Sequence, residues 1–279
     1  MSEVKLTVAY EDYENGVQMK QLIEELAAQP ESKELESLVI GDWGGSYEND
    51  SSSVVEALVQ AKEAFPKLRK LFIGDMDSEE CEVSWIMQSD VAPLLTAFPE
   101  LISLTIQGST GLSLNPARHE KLEELVIICG GLGKDVLDSI AQAHFPRLKK
   151  LELYLGVDSY GFDGTLEDVL QVAKSGKFPE LVYLGLKDSE IQDEIAAALA
   201  DAPILDQLHT LDLSMGTLSD AGAEALLNSD RVKKLQRLDL SHHYMSEKMI
   251  KRWKQSGLNV DVSDAQGEDD EYRYPALTE

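Results

Sequence analysis

Residues 208–213, Leu-His-Thr-Leu-Asp-Leu, and residues 235–240, Leu-Gln-Arg-Leu-Asp-Leu, repeat one six-residue phrase at an interval of 27. Six further copies lie upstream: LESLVI from Leu35, LRKLFI from Leu68, LISLTI from Leu101, LEELVI from Leu122, LKKLEL from Leu148 and LVYLGL from Leu181. Their starts are separated by 33, 33, 21, 26, 33, 27 and 27 residues, a period that marks stacked supersecondary units. Within each copy the second and third apolar residues stand two apart. They therefore share one face of a short strand, and the residue between them takes the other.

Most gaps carry an amphipathic helix pattern: SVVEALVQAKEAF from Ser53, KDVLDSIAQAH from Lys134, TLEDVLQVAKSG from Thr165, EIQDEIAAALAD from Glu190 and SDAGAEALL from Ser219. Ser53 with Glu56, and Thr165 with Asp168, have the spacing at which a hydroxyl caps an orphan helix amide and an acid caps back. Phe65-Pro66, Phe98-Pro99, Phe145-Pro146 and Phe178-Pro179 each precede a copy by two or three positions. Proline there stops the helix and turns the chain into the strand. The stretch 112–120, which contains Pro116, is too short and broken for a full helix, so the third repeat is the irregular one.

The segment LDLSMGTLSDAGAEALL, residues 211–227, resembles a repeat of the ribonuclease-inhibitor-like class of leucine-rich repeats, a likeness that covers residues 35–257. GDMDSEECEVSWIMQSD at 74–90, LGVDSYG at 155–161 and the terminal RYPALTE are similar to an uncharacterised group of bacterial leucine-rich-repeat proteins. The resemblance implies a fold and lends no activity. At the position usually held by asparagine stand Gly216 and His243, which puts the usual side-chain ladder between turns in question.

The expected architecture is an α/β leucine-rich-repeat solenoid of about eight repeats plus end caps, with a curved parallel sheet on the concave face and helices on the convex face. A barrel of parallel strands is the rival, but barrel strands are covered on both faces and read as continuously apolar. Here Lys70, Glu152, Asp212, Arg237 and Asp239 interrupt the leucines, so one face meets water. Residues 1–34 form an N-terminal capping strand and helix: Val4, Leu6, Val8 and Tyr10 alternate, and Met19, Leu22, Ile23 and Leu26 fall at helical spacing. The solenoid with a terminal strand through Leu258, Val260 and Val262 spans 35–262. Residues 263–279 form an acidic tail that opens as a linker, QGEDDE, while Tyr272, Tyr274 and Leu277 leave a docked cap open.

Acids outnumber bases 51 to 25, so the formal charge of -26 repels nucleic-acid phosphate and anionic lipid, and steers basic partners if it steers anything. Cys81 and Cys129 make neither a disulfide framework nor a zinc spacing, which fits a reducing compartment. No signal peptide or apolar run of spanning length is present. The expectation is a cytoplasmic monomer that binds a protein or peptide, and neither nucleic acid nor membrane.

Residues flanking the second and third leucine positions face away from the helices. Their middle column runs Val39, Phe72, Thr105, Val126, Glu152, Gly185, Asp212 and Asp239, apolar first and acidic later. Loops GDWGGSYENDSSS, GDMDSEECEVSW and GVDSYGFDG, after strands one, two and five of the repeat, are expected to form an aromatic and acidic rim that grips a basic partner. The candidate contact residues are Asp42, Trp43, Phe72, Asp75, Asp77, Glu79, Trp85, Glu152, Tyr154, Asp158, Tyr160, Asp212 and Asp239. The competing reading folds Trp43, Trp85 and Phe162 back over the sheet edge.

Chemistry is poorly represented. Asp75-x-Asp77-x-Glu79-Glu80 opens like a calcium loop but has Glu80 where the sharp turn needs glycine, so a solvated charge run is preferred. Residues 130–135, GGLGKD, sit where a phosphate loop would, yet the spacing is short and Asp135 replaces the magnesium-binding hydroxyl. His242 and His243 are adjacent and point to opposite faces, and no nucleophile elbow or reactive cysteine with a base is found. No catalytic residue, cofactor or metal is expected, and the reading is a noncatalytic protein-interaction module. The alternative is an enzyme, or a regulatory subunit of one, with its site between the long loops.

Overall fold

The computed structural model describes residues 3–267 and 273–278. The fold is an α/β leucine-rich-repeat solenoid whose chain divides into two compact units. The first, Met1–Ile128 with Gln142–Leu148, contains β1 (Glu3–Leu6), α1 (Tyr10–Glu14), α2 (Met19–Ala28), β2 (Ser37–Ile40), α3 (Ser52–Gln60), β3 (Lys70–Ile73), α4 (Ala92–Ala97), β4 (Ser103–Gln107) and β5 (Glu124–Ile128). The second, Cys129–Ala141 with Lys149–Thr278, contains α5 (Lys134–Ala141), β6 (Lys150–Gly156), α6 (Leu166–Val172), β7 (Tyr183–Ser189), α7 (Gln192–Leu199), β8 (Thr210–Asp212), α8 (Asp220–Asn228), β9 (Arg237–Asp239), α9 (Glu247–Gln255) and β10 (Val260–Asp261).

Strands pair in parallel with their sequence neighbours, in a register set by the repeat. In the first unit Leu38, Leu71, Leu104 and Leu125 oppose one another from β2 to β5. In the second, Leu151, Leu184, Leu211, Leu238 and Val260 do so from β6 to β10. The leucines of these rows are almost wholly buried, and burial of each such side chain contributes about 1.5–3 kcal/mol. Among the described residues β1 pairs only with β2 and β10 only with β9, whereas a closed barrel would give each strand two neighbours.

The Phe-Pro pairs act as turns rather than simple breaks. Leu68, Leu101, Leu148 and Leu181 each donate their N–H to the carbonyl of Phe65, Phe98, Phe145 and Phe178, three residues earlier. Proline then sits at the second turn position, where its fixed φ is favourable, and the phenylalanine is buried. Thr165 caps α6 reciprocally with Asp168, as its spacing predicts. Ser53 does not cap: α3 already starts at Ser52, and its N-cap, Ser51, makes no side-chain cap bond. Tyr10 likewise leaves the first strand, which ends at Leu6, and opens α1.

The missing asparagine ladder is replaced by several different groups. His243 is buried, with Nε2 3.2 Å from the Val262 carbonyl and Nδ1 accepting the Met245 N–H. Thr217 Oγ1 donates to the Ser189 and Glu190 carbonyls of the preceding turn. At the helix starts, Asp193 accepts both the N–H and hydroxyl of Ser219, and Asp220 those of Ser246. In α7 and α8 the first-turn acid therefore holds the cap serine of the next helix.

Candidate functional site

In the first unit three consecutive loops follow β1, β2 and β3. Residues 7–17, 41–51 and 74–91 contain three, three and six carboxylates and no lysine or arginine. They are tied to one another: Asn49 Nδ2 donates to Tyr13 Oη at 3.0 Å, the Met87 N–H to the Ser46 carbonyl at 2.9 Å, and Ser46 Oγ to Met76 Sδ at 3.2 Å. Three aromatic side chains stand out of this acidic surface, Tyr10 (62% exposed), Tyr47 (46%) and Trp85 (60%). The negative charge of Glu48, with burial, Tyr10, Tyr13 and Glu14 adding to it, pushes the Tyr47 hydroxyl up from its ordinary value.

Trp43 is not part of that exposed set. It is buried, and its indole N–H donates to the Asn49 carbonyl at 2.8 Å, so it folds back beneath the loop. An indole gains both apolar cover and a partner that way. Asp42 accepts the Gly44 and Ser46 N–H groups and shapes the same turn. Asp75 pairs with Lys5 at 3.0 Å. Asp77 accepts the N–H groups of Glu79 and Glu80 and stays exposed with them. Phe72 is half-buried in β3. The aromatic signal missed in the sequence was Tyr10 and Tyr47, each followed directly by an acid.

In the second unit, β6, β7 and β8 build a compact charged network on the face opposite the leucines. Lys187 Nζ lies 3.5 Å from Glu152 Oε1, 3.5 Å from Asp212 Oδ2 and 3.3 Å from Tyr154 Oη. Tyr183 Oη donates to Asp212 Oδ2 at 2.6 Å, and Lys150 pairs with Glu152 at 2.9 Å. The ammonium groups of Lys187 and Lys150 also sit 4.9 Å from the centroids of Tyr154 and Tyr183. Gly185 makes the room: a Cβ there would lie 3.1 Å from Glu152 Cγ and 3.2 Å from Tyr183 Cε1.

Burial by itself opposes every charge in this cluster. Against it, Asp212, Glu152 and Tyr154 raise the Lys187 pKa above the ordinary lysine value, and Lys150 and Lys187 hold Glu152 below the carboxylate range. Burial and the neighbouring carboxylates push the Tyr183 hydroxyl strongly upward. The acidic character expected of this face is therefore neutralised locally, and Glu152 and Asp212 are buried beneath their own partners. Asp239 is half-buried, pairs with Arg237 and accepts from Ser241. Asp158 is exposed and Tyr160 half-buried in the loop after β6, whose Phe162 is buried.

The glycine run 130–135 has a packing role. A Cβ on Gly131 would meet the Tyr160 carbonyl at 2.4 Å, and one on Gly156 the Gly130 carbonyl oxygen at 1.7 Å, so the two turns touch through bare backbone. Lys134 pairs with Asp168 and Asp138, and the Asp168 carboxyl is held down to about 2 by Lys134 and by Thr165. Cys81 and Cys129 are buried and form no disulfide, and burial pushes the Cys81 thiol up. Among the described residues no group of three or more His, Cys, Asp or Glu is arranged to hold a metal ion, and no helix is long and apolar enough to cross a membrane.

No protein-family model matches the chain, and no curated protein does. Among solved structures, a Listeria monocytogenes internalin aligns at 13% identity over 90% of this chain and 71% of its own, with a TM-score of 0.37, too low to carry an argument. A Bacteroides fragilis protein solved as a structural-genomics target is 35% identical over 99% of this chain and 77% of its own, with a TM-score of 0.91. At that identity and coverage the chain belongs to the same family as the Bacteroides fragilis protein.

Proposed function

We propose that the chain is a noncatalytic protein-interaction module that captures a basic protein or peptide on the acidic aromatic loops following β1, β2 and β3. One observation carries this reading: three adjoining loops display Tyr10, Tyr47 and Trp85 among carboxylates with no base of their own. Exposed aromatic rings beside an excess of acids offer a lysine or arginine both charge and a π face, the chemistry of an interface anchor. Of the candidates in the second unit, Glu152, Tyr154 and Asp212 enter as an internally paired surface and not as free acids. The helical gaps and the 27-residue spacing support the ribonuclease-inhibitor-like class. A cytoplasmic, monomeric protein accords with the cysteine usage and the surface charge.

The test is affinity capture with the wild type and with a Tyr10→Ala/Tyr47→Ala/Trp85→Ala variant. Loss of the captured partner with an unchanged melting temperature supports the proposal; equal capture by both refutes it. Affinity for the captured partner should also fall as salt rises, because exposed charges are screened.

A further inference from the structure

In the second unit, residues 273–278, Arg-Tyr-Pro-Ala-Leu-Thr, run across the turns just past β9 and β8 and then the last residues of β7, in that order. His242, Met215 and Asp188 occupy the same place in three successive repeats, two residues beyond Leu240, Leu213 and Leu186. All three have left-handed backbone, with φ of 55°, 69° and 55°. Each contacts the segment. His242 Nε2 lies 3.4 Å from the Tyr274 carbonyl, the Met215 carbonyl accepts the Ala276 N–H at 2.7 Å, and Asp188 Oδ1 accepts the Leu277 N–H at 2.8 Å.

The geometry has a simple cause. Neighbouring strands are spaced about 4.8 Å apart, so two strand steps span roughly 9.6 Å, and three residues of extended chain span roughly 10 Å. An extended peptide laid across the strands thus meets a turn from each repeat in register. Tyr244 Oη adds a clamp, accepting the Tyr274 N–H at 2.9 Å and donating to its carbonyl at 3.0 Å, and Arg273 pairs with Asp193 at 3.4 Å.

We propose that this strip of left-handed turns is a peptide-docking groove, occupied in cis by residues 273–278 and able to exchange them for a partner's extended segment of like chemistry. That chemistry is a basic residue, then an aromatic, a proline, a small residue and an aliphatic one. The hold on the resident segment is of an exchangeable kind. Main-chain hydrogen bonds and the Arg273–Asp193 ion pair hold it, Tyr274 is 60% exposed, Ala276 is exposed, and among the described residues of the segment Pro275 is the buried one. Such hydrogen bonds, exchanged for bonds to water on release, hold far less firmly than a buried leucine row. Residues 266–272, Gln-Gly-Glu-Asp-Asp-Glu-Tyr, link the segment to the solenoid, with Tyr272 the one aromatic residue among them.

The test uses the full chain and a fluorescein-labelled, amide-capped peptide of residues 273–278. A short tether gives the resident segment an effective concentration on the order of millimolar, so the wild type should bind the probe weakly. Arg273→Glu with Leu277→Pro alters only the resident segment, setting a like charge against Asp193 and removing the N–H given to Asp188. That variant should bind the probe at least about tenfold tighter than the wild type, by fluorescence anisotropy. Adding Tyr244→Phe should weaken the gain about fivefold or more, and a scrambled peptide should not bind. Hydrogen exchange on the wild type gives a second reading: the Ala276 and Leu277 amides should open well before that of Leu211. Equal probe binding by wild type and variant, loss of the variant's native circular dichroism, or exchange of those amides only with global unfolding overturns the proposal.

Discussion

Replacing Asp188 by Asn removes one titrating proton from the interior of the second unit. The Asp188 side chain is fully buried, Oδ1 accepts the Leu277 N–H, and Oδ2 has no hydrogen-bond partner. Burial pushes the carboxyl up to about 8, against the opposing pull of the Leu277 and Ala276 N–H groups and the Lys187 charge. In the unfolded chain the same group titrates near ~3.9. A folded-state value above the unfolded one means that the folded chain holds the proton more tightly. Its contribution to stability is complete below the unfolded value and is lost as pH rises toward 8, at about 1.4 kcal/mol per pH unit. Between pH 5 and pH 7 the wild type should therefore lose about 2–3 kcal/mol relative to Asp188→Asn. Urea unfolding of both proteins at the two pH values measures this as a change in their stability difference, which cancels the titration of every other carboxylate. A difference that stays constant within about 0.5 kcal/mol across the range would show that Asp188 does not carry the proton, and the reasoning would fail.

Other perturbations test the remaining assignments. Lys187→Met leaves the buried Asp212 with the Tyr183 hydroxyl but no cation within ion-pair distance, and Glu152 with Lys150 alone, and should cost about 3 kcal/mol in denaturant unfolding, with most of it regained when Asp212→Asn is added. Gly156→Ala drives a methyl into the Gly130 carbonyl and should cost more than about 3 kcal/mol or abolish folding. Gly176→Ala, which meets open space, should cost only about 1 kcal/mol, as read from thermal melts. On the first unit, Trp85→Ala and Tyr47→Ala should each weaken partner binding about tenfold or more while moving stability by less than about 0.5 kcal/mol.

The spacing of the leucines already contained the fold, since a period-two strand phrase recurring with a helical pattern in the gap has one economical way to bury its apolar face. The turn role of Phe-Pro was legible for the same local reason. Helix starts were legible only in part: Thr165 and Ser53 have identical capping spacing, yet α3 begins before Ser53 can cap it. The loop aromatics were less legible still. Trp43 and Tyr47 are four residues apart in one loop, and the indole turned inward because the Asn49 carbonyl lay within its reach.

From the sequence alone came the repeat, the wet strand face, the acid excess and the candidate loops, because each depends on residues near one another in the chain. Only the tertiary structure decided that Lys150 and Lys187 neutralise the acids of the second unit and that Asp188 and Met215 receive residues 276–277. Apart from Lys150 and Glu152, which both lie on β6, those partners come from different repeats or lie as far as 89 positions apart, and what joins them is the parallel register that sets each repeat directly beside the next.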